Sequence, residues 1–468
     1  MPDAEAVLSR SEELATLLMK VARAGNRIIV VTHIDADGLA SGAIAFKSLV
    51  RAGATVSVRA VTDMDRRVIA ALKSEKFDYY LFTDLGSGLI PELSSALGNS
   101  FMIVDHHQFP ENERSLLNIF NAWSFGFDGG TDACSSTMAY ILARSFGEAN
   151  KDLSHLSVVG AVGDRQDSGP GRSLLGLNKL ALDDAVGAGL VRVGKDFLLN
   201  GRETRPIHEA LALTYSPLIP GLSGSRDAAL GALSNAGMKL KEGGRWRTLS
   251  ELDDEEKQSL LDVVARHVSP STNGTEIISE LIGEVYTLEM EDSFTPLRDA
   301  REFATLLNAC GRMDRVDVGL AICLGDRDIN LSLGLKIAAE YRTKIGRAIQ
   351  QVEAESEKVI TSGDLACVVG DDFLEERLTG SISSILASGE KFRDKVVMVR
   401  TKSGESELKF STRVGEEFSG SVNLGTVMME AAEEVGGVGG GHSMAAGAKV
   451  PSARGEEFMR RVQQKVSG

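Results

Sequence analysis

Residues 28–38 read Ile-Ile-Val-Val-Thr-His-Ile-Asp-Ala-Asp-Gly. Ile28–Thr32 is an unbroken β-branched run, which suits a strand buried on both faces of a parallel sheet. It runs into His33, Asp35 and Asp37, with Gly38 behind them. The pattern recurs further along. Tyr79–Thr83 is a short apolar run ending in Asp84, Phe101–Val104 ends in Asp105-His106-His107, and Ser157–Val162 ends in Gly163-Asp164. Thr55–Val61 reads as a further strand. Residues 39–52, 133–146 and 153–162 read as helices, the end of the last being open between helix and strand. The alternation implies a parallel α/β sheet across residues 1–186. In an open parallel sheet the carboxyl ends of the strands share one edge, so acids about 130 residues apart converge in one crevice.

Carboxylates packed together without a cation repel and raise one another's pKa, and a divalent metal removes that conflict. Imidazole and carboxylate donors without thiolate suit manganese, with magnesium as the alternative and zinc or iron disfavoured. Four acids and two or three histidines suffice for two ions bridged by one carboxylate, the arrangement that activates water and clamps a phosphate. An aspartate at one strand end is often only a helix cap. Four acid-bearing ends with a contiguous histidine pair exceed what capping supplies.

The chain has 468 residues, with 51 basic against 66 acidic side chains and a net charge of −15. A polycation that binds nucleic acid through bulk charge is excluded. The 43% hydrophobic content excludes global disorder. No apolar run approaches the ~18 residues of a membrane helix, and no signal peptide is expected at the acidic N-terminus. Cys134, Cys310, Cys323 and Cys367 form no CxxC and read as buried thiols of a reducing cytoplasm. Ser9-Arg-Ser-Glu12 reads as the capping box of an N-terminal helix that Gly25 stops. Residues 187–355 read as a helical middle region, with helices near 254–267, 298–311 and 335–358. Residues 356–468 read as a smaller α/β domain. Its strands are Leu365–Val369, Lys395–Arg400 and Glu407–Thr412; its helices lie near 378–388, 422–435 and 454–466. Gly436–Gly441 lacks the Gly-Lys-Ser/Thr of a Walker A loop and alone reads as a turn. Arg165, Arg172, His155, His208 and His267 read as structural or exposed.

His33-x-Asp35-x-Asp37-Gly38, Asp84, Asp105-His106-His107 and Gly163-Asp164 resemble, in order and spacing, the four motifs of the DHH phosphoesterase superfamily. Gly439-Gly-Gly-His442 resembles the GGGH motif of the DHHA1-like domain that accompanies it, and Ser411-Thr-Arg413 resembles that domain's Ser-x-Arg. Leu306-Leu-Asn-Ala-Cys-Gly-Arg312 and the short first motif most resemble archaeal RecJ-type exonucleases. The resemblance implies a DHH catalytic domain at 1–186, a connecting region at 187–355 and a DHHA1-like substrate-binding domain at 356–468. It implies that His33, Asp35 and Asp84 hold one Mn²⁺ and that Asp37, Asp84, His106 and Asp164 hold a second, with Mg²⁺ as the alternative. Asp84 bridges, His107 points at the scissile phosphate or the leaving oxygen, and Asp105 orients a histidine. Ser411, Arg413, Gly440, Gly441 and His442 contact the strand, joined by Arg312. The implied activity is a cytoplasmic, RecJ-like exonuclease of replication and repair. It degrades single-stranded DNA from 5′ to 3′, or RNA. The rival expectations are an oligonucleotide or cyclic-dinucleotide phosphodiesterase, and a fork scaffold associated with GINS and the replicative helicase.

Overall fold

The run at residues 28–32 is the heart of β1 (Arg27–His33) in a computed structural model, which describes residues 2–110, 118–214, 217–269, 274–441 and 443–466. With β2 (Thr55–Val61), β3 (Tyr79–Thr83), β4 (Phe101–Asp105) and β5 (Ile119–Asn121) it forms an all-parallel sheet of order β2-β1-β3-β4-β5. The three-residue β5 is too short to announce itself by pattern. Thr32 pairs with Thr83 and Thr83 with Val104, so the carboxyl ends of β1, β3 and β4 are level. β3 and β4 are buried along their whole length, as helices on both faces of a parallel sheet require.

The flanking helices are α1 (Ala4–Arg23), α2 (Ala36–Arg51), α3 (Arg66–Ser74), α4 (Ile90–Leu97), α5 (Ser135–Arg144), α6 (Ser154–Gly163) and α7 (Gly176–Gly187). One face of the sheet packs Ile29, Val31, Phe82 and Ile103 against Ile69, Leu72, Ile90 and Leu93 of α3 and α4. One expectation is corrected and one open reading is resolved. α1 already begins at Ala4, where Asp3 accepts from the Ala6 N–H at 2.9 Å, so Ser9 and Glu12 lie inside the helix and form no capping box. Residues 157–162 belong wholly to α6, because a short buried apolar run looks the same in a strand and in a helix.

The middle region is not purely helical. It holds β6 (Val191–Phe197), the hairpin of β7 (Lys241–Glu242) and β8 (Arg245–Trp246), and β9 (Ile282–Leu288), which pairs antiparallel with β6. Exposed Arg192, Val193 and Lys195 disguise β6 as a loop. Among these run α8 (Ile207–Ala212), α9 (Arg226–Asn235), α10 (Asp254–Val268) and α11 (Gly274–Leu281), around a core that includes Phe197, Leu211, Leu249, Leu260 and Val263. After them come α12 (Ala300–Arg312), α13 (Val316–Cys323) and α14 (Ile329–Ala354). The chain divides into two compact units, Met1–Ile337 and Ala338–Gly468, so residues 187–337 share a unit with the parallel sheet.

Within the larger unit, Glu302 of α12 accepts hydrogen bonds from the Glu203 N–H, at 2.6 Å, and from the Thr204 hydroxyl. Burial, reinforced by Asp299, pushes its carboxyl up to about 7 from an ordinary 4.5. The folded chain therefore keeps a proton that the unfolded chain releases between those values. Stability present at pH 4.5 is lost as pH rises through about 7, by on the order of 3 kcal/mol. Glu302→Gln keeps an acceptor for Glu203 and cannot ionise. It is expected to flatten this slope and raise Tm at pH 8; equal wild-type and variant slopes in thermal unfolding between pH 5 and 8 would show that Glu302 is not the group responsible.

The smaller unit is a mixed sheet of β10 (Val359–Ser362), β11 (Leu365–Val369), β12 (Val396–Ser403), β13 (Glu407–Val414), β14 (Val438–Gly441) and β15 (Ala445–Pro451), in the order β10-β11-β12-β13-β15-β14. Its one face packs on α15 (Thr379–Ser388), through Ile382, Val397 and Val399. The other packs on α16 (Leu424–Glu433) and α17 (Gly455–Val466), through Phe410, Met428 and Phe458. The glycine tract that reads as a turn supplies the edge strand β14, invisible to pattern because it has no side chains to alternate. All four cysteines are buried and free. Among the described residues no helix is long and apolar enough to cross a membrane.

Candidate metal centre

The level strand ends set the geometry. His33 closes β1, and Asp35 caps α2, its Oδ1 accepting from the Gly38 N–H at 2.9 Å. That leaves Asp35 Oδ2, 2.9 Å from His33 Nδ1, which itself lies 3.6 Å from Asp84 Oδ2. Asp37 lies in the first turn of α2 and turns toward the start of α5, where the Ser135 and Ser136 N–H groups donate to its two oxygens at 2.8 and 2.9 Å. A helix N-terminus favours such an anion. Asp84 follows β3 at φ 60°, a conformation that aspartate tolerates better than most residues. Its N–H donates to the Val104 carbonyl at 3.1 Å, and its carboxylate Oδ1 stands 3.3 Å from His106 Nε2.

β4 delivers the histidine pair. Asp105 is fully buried and accepts from the His106 N–H at 2.8 Å and the Ser87 N–H at 3.2 Å. His107 Nδ1 lies 2.8 Å from Asp105 Oδ1, which orients this half-exposed ring. His106 Nδ1 donates to the Gly129 carbonyl, which fixes the ring with Nε2 facing Asp84. A Cβ at Gly129 would sit 1.8 Å from the His106 carbonyl oxygen, so only glycine fits. Asp164 comes not from a strand but from the carboxyl end of α6, where the helix dipole opposes a negative charge. It lies 3.7 Å from His106 Nδ1.

Among the described residues three groups of potential ligands result: His33, Asp35 and Asp84; Asp37, His106 and Asp164; and Asp84, Asp105, His106 and His107. Asp84 has one oxygen toward each histidine, His33 and His106. Burial pushes the Asp37 and Asp164 carboxyls up, and the Asp84 charge pushes both further. Burial lowers the basicity of His33 and His106, but surrounding carboxylates outweigh it and raise both rings well above the ordinary range: Asp35 and Asp84 act on His33, and Asp164, Asp84 and Asp37 on His106. Crowding that works against the ionised carboxylates is the conflict that a divalent cation would relieve. Oxygen and imidazole donors with no thiolate fit such an ion. Asp35 departs from the pattern. Burial works against its charge, yet His33, the Gly38 N–H and Arg312 hold it well below the usual range.

Several contributors escape a motif search. Gln166 is fully buried and donates at 2.8 Å both to Asp164 Oδ2 and to the Gly129 carbonyl. Asn178 donates to Gln166 Oε1 at 2.7 Å and accepts from the Thr137 hydroxyl at 2.7 Å. Trp123 Nε1 donates to the His106 carbonyl, and Asn121 to that of His107, each at 2.9 Å. Only Gln166, two residues past Asp164, carried a positional signal.

In the smaller unit, Ser411 and Arg413 lie on one face of β13. The Arg413 Nε donates to the Ser384 hydroxyl of α15 at 3.1 Å, and Ser411 Oγ is 3.2 Å from Ser383 Oγ. Gly440 and Gly441 lie in β14, with open space above Gly440; His442 lies outside the described residues. Arg312 ends α12 and belongs to none of the ligand groups. Arg165 and Arg172 both sit at φ 59°.

Three family models match the sequence: the N-terminal domain of the DHH family over residues 27–161, the DHH-CID domain over 199–282 and the DHHA1 domain over 366–468. An uncharacterized protein of Methanocaldococcus jannaschii is 32% identical over 445 residues, which cover 93% of this chain and 92% of that one. The chain belongs to the DHH family. Its fold is that of RecJ from Thermus thermophilus in complex with Mn²⁺, with a TM-score of 0.59 at 17% identity over 98% of this chain. This DHH chain spans only 55% of that RecJ. A second exonuclease RecJ bound to manganese is covered to 94%, with a TM-score of 0.57 at 17% identity. CDC45 from Entamoeba histolytica shares the fold too, with a TM-score of 0.65 at 12% identity over 98% of this chain and 99% of that one. The DHH-CID model falls on α8 to α11, and the DHH model ends before Asp164.

Proposed function

We propose that this DHH protein is a divalent-metal-dependent phosphodiesterase of the RecJ type, an exonuclease on single-stranded DNA with 5′→3′ polarity. The observation that carries the reading is Asp84, a buried carboxylate set between two imidazole–carboxylate groups. His33, Asp35 and Asp84 would hold one Mn²⁺, and Asp37, Asp84, His106 and Asp164 the second. Bound there, the pair would supply Lewis-acid stabilisation of phosphoryl charge and a nucleophile at neutral pH. The protein's own part is orientation and proton handling. Asp105 fixes the His107 ring so that Nε2 can give a proton to the leaving oxygen. Gly129 orients the ring of His106, and Gln166 orients the carboxylate of Asp164 by donating to Oδ2. The RecJ structures that share this fold were solved with Mn²⁺ or Mg²⁺, which supports either ion.

The test is a product ladder. Purified protein is incubated with Mn²⁺ and end-labelled DNA or RNA, blocked in turn at each end. Digestion of DNA that stops when the 5′ end is blocked is the expected result. Digestion of RNA alone, or from the 3′ end, would revise substrate or polarity. No product from any strand would favour a second reading, which rests on the CDC45 likeness: a fork scaffold associated with GINS.

Arg413 and Ser411 would grip strand phosphates, together with the glycines of β14. Arg413→Ala is expected to weaken binding of a long single strand by about tenfold, the worth of one charged hydrogen bond, and to leave Mn²⁺ affinity unchanged. Fluorescence anisotropy with a non-cleavable strand and a parallel Mn²⁺ titration check this. A matching loss of metal affinity would place Arg413 in the fold rather than on the strand.

A further inference from the structure

The turn that carries Asp35 is held from outside the parallel sheet. Ala36 is the first residue of α2, and its N–H has no acceptor within the helix, as in every first helical turn. Asn308 of α12 supplies one: its side-chain Oδ1 accepts from the Ala36 N–H at 2.9 Å, across 272 residues of sequence. On the other side of Asp35, the Ile34 carbonyl lies against Gly311, so close that a Cβ there would stand 1.8 Å from the oxygen. α12 therefore grips the residues immediately before and after Asp35.

The far end of α12 is itself anchored. The Arg301 guanidinium donates to Asp167 at 2.6 Å and to the Glu284 carbonyl at 2.9 Å, and Glu302 accepts from Glu203 and Thr204. Asp167 lies three residues past Asp164. One end of the helix thus ties to the segment behind Asp164, and the other to the turn around Asp35. Asn308 belongs to none of the ligand groups.

We propose that Asn308 is a positioning residue for the ion held by His33, Asp35 and Asp84, which it serves by fixing the Ala36 N–H and hence the direction of the Asp35 carboxylate. The inference rests on the two-ion reading of the site. It explains why asparagine and glycine stand three residues apart in Asn308-Ala-Cys-Gly311: the asparagine supplies the acceptor and the glycine the clearance. It also predicts an asymmetry, because α12 bonds the Asp35 turn directly and reaches His106 only through other groups.

The test is a Mn²⁺ titration of the full chain followed by electron paramagnetic resonance, with Tm measured alongside. Four proteins are compared: wild type, Asn308→Ala, Asn308→Asp and Leu260→Ala, the last a core variant remote from the site. Asn308→Ala is expected to weaken one class of bound Mn²⁺ by about tenfold or more, as loss of a ligand-orienting partner does, and to leave the other within about threefold. Asn308→Asp keeps an acceptor for Ala36 and is expected to restore the weakened class. Equal loss at both classes, matched by Leu260→Ala at similar Tm, would reduce Asn308 to a fold-stabilising residue and overturn the proposal. So would two unchanged classes in Asn308→Ala, or fewer than two classes in wild type. Hydrolysis plays no part in these readouts. Failure of the exonuclease reading is seen separately, in the ladder from unsubstituted protein.

Discussion

Asp84→Asn is expected to abolish hydrolysis while leaving the fold intact. Asparagine has nearly the volume of aspartate and shares its tolerance of positive φ, so the turn after β3 keeps its shape and its N–H bond to Val104. Alanine would be a poorer choice, since it adds backbone strain at φ 60° to the loss of the carboxylate. The asparagine variant loses the carboxylate that lies between His33 and His106 and turns an NH₂ toward one of them. Removing the bridging ligand of a two-ion site should cost several kcal/mol in the transition state, or at least about a thousandfold in rate. Single-turnover hydrolysis with Mn²⁺, with circular dichroism to verify the fold, checks this. A variant within tenfold of wild type would show that the two groups do not share an ion through Asp84.

Gly129→Ala should damage stability and site together. Its Cβ would overlap the His106 carbonyl oxygen, at 1.8 Å, and crowd Trp123 Nε1 at 2.7 Å. The first is a backbone atom and cannot swing aside, so the 129 segment must move. The expected loss is about 1–3 kcal/mol from overpacking. That segment also carries the carbonyl that accepts from His106 Nδ1 and Gln166 Nε2, so His106 loses its fixed tautomer and Mn²⁺ affinity falls by about tenfold or more. Thermal unfolding and metal titration report the two effects. An alanine variant with normal Tm and normal metal affinity would mean that Gly129 does not set the orientation of His106.

How much of this was legible in the sequence depends on the range of the cause. The sheet was legible because β1, β3 and β4 are buried on both faces and so are written as unbroken apolar runs. The ligand candidates were legible because each follows such a run directly. Asp164 shows the limit: its apolar lead-in is a buried helix, and nothing within six residues separates that from a buried strand. β6 was hidden for the opposite reason, since its exposed Arg192, Val193 and Lys195 look like a loop until β9 pairs with them from far along the chain. The groups that hold the ligands were almost wholly illegible. Gln166 holds Asp164 and the Gly129 carbonyl at once, and Asn308, although it lies in the Leu306–Arg312 stretch, gives no sign there that its partner is Ala36, 272 residues away. Gly311 and Gly129 carry still less, because what they contribute is the room that a methyl group would take.

The level strand ends have a consequence for how the protein would meet a metal ion. His33 and Asp164 lie at opposite ends of a long stretch of chain, and no short peptide of this sequence contains a complete ligand group. An unfolded chain would therefore offer an ion only partial local sets, His33-x-Asp35-x-Asp37 and Asp105-His106-His107, and tight binding would belong to the folded state. An ion with that preference would work as a reversible crosslink, tying β1 to the end of β3 in the first group and α2 and β4 to α6 in the second. At a hundred times its dissociation constant it adds about 2.7 kcal/mol to stability, and a tenfold fall in its concentration withdraws about half of that. Scarcity of metal would thus act twice, first by silencing the site and then by shortening the life of the protein that carries it.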